Sequence, residues 1–142
     1  MEPHREFFYA YAVTYRPYLN LLNNQLASFQ LYSSQWRIMN FILHNGAHTV
    51  SDIAMYQKVE KPTTTKMVQR LIELGYMEAT PGEDKRTKVI QLTETGLKIC
   101  DQVEEKLNQL QSYLLEDVSE EEQLMATRLI KKVSEKIADY KG

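Results

Sequence analysis

The stretch Asp84-Lys85-Arg86-Thr87-Lys88 packs one acid and three bases into one short loop. It lies between two strand-like runs, Tyr76-Met77-Glu78-Ala79-Thr80 and Val89-Ile90-Gln91-Leu92. Cations at the tip of a hairpin suit a polyanion. A guanidinium can enter a narrow groove where the potential is most negative, and ammonium groups neutralise phosphates. Arg86 is the foremost candidate for insertion, with Asp84 two residues earlier placed to hold the guanidinium in its pose. Lys85 and Lys88 are candidate phosphate neighbours. The bland alternative is a solvated hairpin tip carrying a weak surface ion pair.

A second set precedes the loop. With Thr64 at zero on a wheel of ~100° per residue, Val68, Leu71, Ile72 and Gly75 fall on its side. Lys66, Gln69, Arg70 and Glu73 lie roughly opposite, flanked by Thr63 and Thr65. Thr can touch a thymine methyl or a phosphate, Gln can pair with adenine, and Lys and Arg favour guanine edges or the backbone. The candidate contacts are therefore Thr63, Thr65, Lys66, Gln69 and Arg70. Which of them reads bases is open at this level, and a charged helix face is often only a solvated one.

These residues need elements to hold them. Residues 6 to 30 read as a helix, with a kink or break expected at Pro17. Ser33 or Ser34 is placed to cap a second helix through Trp36, Ile38, Met39, Phe41, Ile42 and Leu43, ended by Asn45-Gly46. Thr49-Val50 is expected as a short strand pairing with the hairpin, and Ser51 as the start of a third helix. Pro62 suits the first turn of a fourth, which stops at Gly75. Pro81-Gly82 turns the chain out of the first strand-like run, and Thr93 can cap the helix that follows. Beyond it, Cys100, Val103, Leu107, Leu110 and Leu114 recur at spacings of three and four, a coiled-coil-like seam. Ser119 and Glu122 form a capping box ahead of a last helix carrying Met125, Leu129, Ile130, Val133, Ile137 and Tyr140.

Helix-turn-helix followed by a basic β-hairpin is a winged helix-turn-helix. The expected class is mainly α with a small β-hairpin wing: a winged helix-turn-helix head over about 33–93, plus N- and C-terminal dimerisation helices over about 5–30 and 94–141, as one domain. The apolar stripes of the outer helices exceed what so small a head can cover, which predicts a homodimer about a two-fold axis.

Bulk properties exclude several classes. The 142 residues are 43% hydrophobic and 25% charged with a formal net charge of -2, which is no polycation. The charge is unevenly spread, however. Lys58, Lys61, Lys66, Arg70, Lys85, Arg86 and Lys88 fall in the head, and Asp101, Glu104, Glu105, Glu116, Asp117, Glu120, Glu121 and Glu122 in the tail. A polyanion responds to the local field rather than the sum. The single cysteine, Cys100, makes no intramolecular disulfide and supports no zinc cluster. His44 and His48 have a metal-ligand spacing, but Asn45-Gly46 separates them, so no metal or cofactor is expected. The N-terminus reads as neither signal peptide nor membrane span, which points to the cytoplasm and to no membrane partner. No Gly-rich phosphate loop or activated nucleophile set argues for an enzyme.

Taken together, the segments Val50-Ser51-Asp52-Ile53-Ala54, Arg70-Leu71-Ile72-Glu73-Leu74-Gly75-Tyr76 and Asp84-Lys85-Arg86 through Leu92-Thr93-Glu94-Thr95-Gly96 resemble the MarR family of bacterial transcription regulators, over essentially the whole chain. The resemblance implies an obligate dimer on double-stranded DNA, with reading helices in successive major grooves of a pseudo-palindromic operator and wings in the minor groove. It further implies a repressor that many members relieve by a small phenolic or lipophilic effector, or by cysteine oxidation. In relatives that effector lies between the dimer stalk and the head. Tyr11, Tyr15, Trp36 and Met39 are the matching candidates, although aromatics at helical spacing more often pack a core. The oxidisable cysteine of peroxide-sensing relatives lies in the first helix, where this chain has none, and Cys100 on its apolar seam reads as a core residue. The alternatives that stay open are a protein-interaction winged helix and a DNA-binding regulator without an effector.

Overall fold

The computed structural model describes residues 1–84 and 86–142. Six helices and one hairpin follow in order among the described residues: α1 (Pro3–Leu26), α2 (Ser33–Asn45), α3 (Val50–Gln57), α4 (Lys61–Glu73), β1 (Met77–Pro81), β2 (Lys88–Leu92), α5 (Glu94–Leu114) and α6 (Glu120–Asp139). A 3-10 turn, Ala27–Phe29, ends the first helix. The chain divides into two compact units, Met1–Leu107 and Asn108–Gly142. No helix among the described residues is long and apolar enough to cross a membrane.

The first unit has one core. Leu26, Ile38, Met39, Ile53, Leu71, Met77, Cys100 and Val103 lose nearly all contact with solvent in it. The helix starts follow local chemistry. Thr49 accepts the Asp52 N–H while the Asp52 carboxylate accepts the Thr49 N–H, a reciprocal cap that starts α3. Pro62 sits in the first turn of α4, where a missing N–H costs nothing. The helix ends at Leu74, and Gly75 turns the chain with φ +81°, a conformation that costs glycine little.

The hairpin is antiparallel, pairing Met77 with Leu92 through Pro81 with Lys88. Gln91 donates to the Glu78 carboxylate across it at 2.7 Å. A third, one-residue strand joins β2, since His48 and Ile90 exchange both backbone hydrogen bonds. The expected strand at Thr49-Val50 is therefore one residue earlier, because Thr49 serves as the α3 cap and Val50 is already helical.

Three other expectations are corrected. Of the kink or break expected at Pro17, the break is absent, since helix α1 is continuous from Pro3 to Leu26. The ring deprives only the Val13 carbonyl of its partner, and Val13 is exposed, so water can satisfy it. Helix α2 is preceded by Tyr32 rather than capped by Ser33 or Ser34. There the Gln35 side chain accepts the Tyr32 N–H, and Asn23 of α1 accepts the Ser33 N–H at 2.8 Å. Ile72 stays at the surface of α4, while Met67 packs against the core in its place.

The second unit holds the end of α5, a turn, and α6. Ser119 and Glu122 cap α6 reciprocally, as the sequence suggests. Their hydrogen bonds hold the Glu122 carboxyl below its ordinary range. Leu124, Met125, Leu129, Ile130 and Ile137 remain exposed along α6.

Cys100 is fully buried in α5. Burial pushes its thiol up to about 12, and the Glu104 and Asp101 carboxylates add in the same direction. In the unfolded chain the thiol ionises near ~8.5. Above that pH the unfolded state therefore binds fewer protons than the folded state, and stability falls as pH rises from there toward 12. We expect native protein to resist iodoacetamide at pH 8 while urea-unfolded protein reacts, and Cys100→Ala to flatten the alkaline limb of the stability profile. Rapid alkylation of the native protein would contradict this placement.

Candidate nucleic-acid interface

Helix α4 separates its faces cleanly. Thr64, Val68 and Leu71 face the core, with the Thr64 hydroxyl bonded back to the Glu60 carbonyl. Thr63, Lys66, Gln69 and Arg70 are exposed, and Thr65 is half-buried. Five candidate contacts thus share the outer side of one helix. Arg70 is not wholly free, since its guanidinium lies 3.5 Å from the Glu73 carboxylate. The Gln57 side chain, buried at the end of α3, donates to the Ser34 carbonyl at 2.9 Å. That bond ties the helix-turn-helix to α2 and so sets the pose of α4.

The wing tip places Asp84, Arg86 and Lys88 in the open. Asp84 does hold Arg86, but through the main chain: its carboxylate accepts the Arg86 N–H at 3.1 Å. A turn closed in this way is the ordinary use of an Asp side chain. It fixes the backbone that carries the guanidinium, and the guanidinium makes no ion pair among the described residues, which differs from the direct grip expected from the sequence. Lys85 falls outside the described residues.

Between the wing and the helix-turn-helix lies a cleft of about 370 Å³. Ser51, Lys61, Thr65, Arg86, Thr87 and Lys88 line it. The structure thus brings Thr65 of the reading helix together with Arg86 and Lys88 of the wing. Sequence reasoning passed over Ser51, Lys61 and Thr87 as site residues. Lys61 could have been found, as it directly precedes the Pro62 that marks the start of α4.

A hydrogen-bonded junction at Thr93 carries the wing base. The Thr93 hydroxyl donates to the Gly75 carbonyl at 2.6 Å and accepts the Gly96 N–H at 3.0 Å, so one side chain caps α5 and fastens it to the end of α4. Thr93 N–H donates to the Tyr76 carbonyl, and the Tyr76 hydroxyl donates to the Phe29 carbonyl at 2.8 Å. Burial raises the Tyr76 hydroxyl above its ordinary range, and nearby Arg70 only partly offsets this, so it stays a donor at neutral pH.

The four residues considered for an effector lie in two settings. Trp36 and Met39 belong to the core of the first unit. Tyr11 and Tyr15 are exposed on α1, their rings stacked with centroids 5.8 Å apart. The two histidines also face different neighbours: His44 Nε2 lies 3.9 Å from Glu104, whereas His48 Nδ1 meets the Gly46 carbonyl and its ring lies on Phe41. Among the described residues no group of three or more His, Cys, Asp and Glu could hold a metal ion.

A reading helix presented beside a cationic hairpin defines a winged-helix transcription regulator. Residues 29–87 match the model of the MarR family. The chain is 37% identical over 100 residues to the HTH-type transcriptional regulator YwoH of Bacillus subtilis, covering 70% of this chain and 73% of that one. Among solved structures it is similar to the MarR of Staphylococcus aureus in complex with salicylate and kanamycin, with a TM-score of 0.88, 27% identity, and coverage of 97% of this chain and 94% of that one. A mutant MarR of E. coli complexed with operator DNA shares the fold, with a TM-score of 0.79, 24% identity, and coverage of 94% and 99%. The chain belongs to the MarR family, whose members are transcription regulators rather than enzymes.

Proposed function

We propose that the protein is a cytoplasmic, homodimeric repressor that binds a pseudo-palindromic DNA operator and releases it when a small phenolic or lipophilic molecule binds. The observation that carries the reading is the pairing of an exposed polar helix face, Thr63 to Arg70, with a cationic wing across one cleft. In this reading α4 enters the major groove with Thr63, Thr65, Lys66, Gln69 and Arg70, while Lys85 and Lys88 neutralise phosphates and Arg86 reaches the minor groove.

The dimer follows from uncovered apolar surface. Phe7, Phe8, Tyr9, Tyr11, Val13 and Tyr15 stand exposed on α1, and α6 buries none of its residues within one chain. Apolar faces of that extent mark a protein contact, and a second copy covers each with its like. The whole chain then acts as one MarR-type domain whose outer helices are its dimerisation elements. Relief by a small molecule draws support from the staphylococcal neighbour, which was solved with salicylate and kanamycin. Tyr11 and Tyr15, exposed within one chain, are the residues able to meet such a ligand where the second copy leaves them uncovered. Trp36 and Met39 would respond only through repacking of the core.

Footprinting on DNA upstream of the protein's own coding region tests the reading. We expect protection of two half-sites about one helical turn apart, by a species that sedimentation shows to be dimeric, and loss of protection with salicylate-like compounds. A monomer at working concentration would overturn the dimeric operator model, and protection indifferent to such compounds would remove the proposed relief.

A further inference from the structure

The cleft between wing and helix-turn-helix takes the DNA-binding reading further, and the inference rests on that reading. Lys61 enters from the start of α4, Lys88 and Arg86 from the wing, with the hydroxyls of Ser51, Thr65 and Thr87 between them. Among the described residues, three cations from two separate elements share one recess, and no carboxylate lines it. Of the neighbouring acids, Asp52 accepts the Thr49 N–H and Asp84 accepts the Arg86 N–H, while Glu60 and Glu83 stand exposed outside the lining. None of Lys61, Arg86 and Lys88 has an ion-pair partner among the described residues. At the start of α3 the Thr49 hydroxyl satisfies the Asp52 N–H. The first-turn N–H groups of Val50 and Ser51 lack a partner among the described residues, at the helix end where positive partial charge collects.

Cations held together without a counter-charge repel one another unless an anion joins them. An oxyanion with several acceptor oxygens answers every feature of this recess: two ammonium groups, hydroxyl donors, and free backbone N–H groups. The volume lies at the lower end of the range for sites that enclose small groups.

We propose that this cleft holds one phosphodiester of duplex DNA, gripped by Lys61 from the reading helix and Lys88 from the wing at once. Arg86 leaves the same rim toward the groove. Helix and wing are thereby registered on the duplex by a shared phosphate rather than by independent contacts, and Lys61 and Ser51 join the interface. Two cations on one phosphate also act as a unit, so deleting both costs less than the product of deleting each.

A double-mutant cycle on the full-length protein tests this. Lys61→Ala, Lys88→Ala and the double variant are titrated against a fluorescent duplex from the region upstream of the gene, with thermal melts run alongside. Both lysines are exposed, so folding is expected to be unchanged. Each single change should weaken binding roughly tenfold, and the pair roughly ten- to thirtyfold rather than a hundredfold. Lys61→Arg should restore most of the loss, since the position needs charge. A double variant weakened by the full product, or a Lys61→Ala protein with wild-type affinity, overturns the shared phosphate while leaving DNA binding itself intact. Wild-type protein that ignores the duplex overturns the DNA reading and this inference with it. Release of DNA by inorganic phosphate well beyond that caused by chloride of equal ionic strength would assign the cleft to a free oxyanion and overturn the phosphodiester.

Discussion

Replacing Gly96 by alanine should cost more stability than the same change at any other glycine of this chain. A Cβ built there lies 2.0 Å from the Tyr76 carbonyl oxygen and 2.9 Å from its carbon, both main-chain atoms that no rotamer change can clear. The contact exists because Thr93 pulls the first turn of α5 onto the end of α4, with the Thr93 N–H bonded to that same carbonyl. Relief requires α5 to move away, which breaks the Thr93 bonds and loosens Tyr76 from Phe29. We expect a loss of about 3 kcal/mol or more, seen as a melting point lowered by roughly 10 °C. Gly75→Ala is the control: no atom lies within 4 Å of its Cβ, so only the positive φ opposes it, at about 1 kcal/mol. If Gly96→Ala melts no lower than Gly75→Ala, the close approach of α5 to the wing base is wrong.

Arg86→Ala should give the largest loss of DNA affinity. The side chain is exposed, carries no ion pair among the described residues, and stands on a turn that the Asp84 carboxylate closes. Its removal is therefore expected to leave the fold intact. A dimer loses two guanidinium groups at once, so affinity should drop on the order of 30- to 100-fold, and the slope of log affinity against log salt should shrink by about 1.8. The loss should appear on every duplex. A change at Gln69 should instead relax preference at one base pair. Asp84→Ala should have a smaller effect in the same direction, because it frees the backbone of the turn without removing the cation. Unaltered affinity of Arg86→Ala at physiological salt would remove the wing from the mechanism.

The helices, the wing and the polar face of α4 were legible because each has a local cause. Ser119 caps a helix three residues before Glu122, Pro62 opens one, and Gly75 ends one, wherever the chain goes next. The misread features were decided at long range. Asn23 supplies the acceptor for Ser33 from ten residues away, which no local pattern around Ser33 announces. His48 rather than Thr49 pairs with Ile90, since the reciprocal cap with Asp52 claims Thr49 for the helix. Ile72 lies about 80° round the wheel from Thr64, at the edge of the buried arc. Whether such an edge residue is covered depends on its neighbours, and here Met67 fills that role from the other side.

The functional site divides in the same way. Arg86 and Lys88 announce themselves as cations in a turn, and Lys66 and Arg70 as cations on a helix. Lys61 carries a fainter signal, its place just before Pro62, and Ser51 carries none, because its meaning comes from the cleft that the fold closes around it. Asp84 shows a subtler limit. Its nearness to Arg86 was readable, but whether the carboxylate takes the side chain or the main chain is settled only by the shape of the turn.

The most direct measurement is the affinity of purified protein for a labelled duplex from its own upstream region, read by fluorescence anisotropy across a range of potassium chloride concentrations. Cationic wings and reading helices of two copies on one duplex predict tight binding at low salt that weakens steeply, with a slope of about -5 or beyond on logarithmic axes. Binding that ignores salt, or none at all in dilute buffer, would contradict the account at its root.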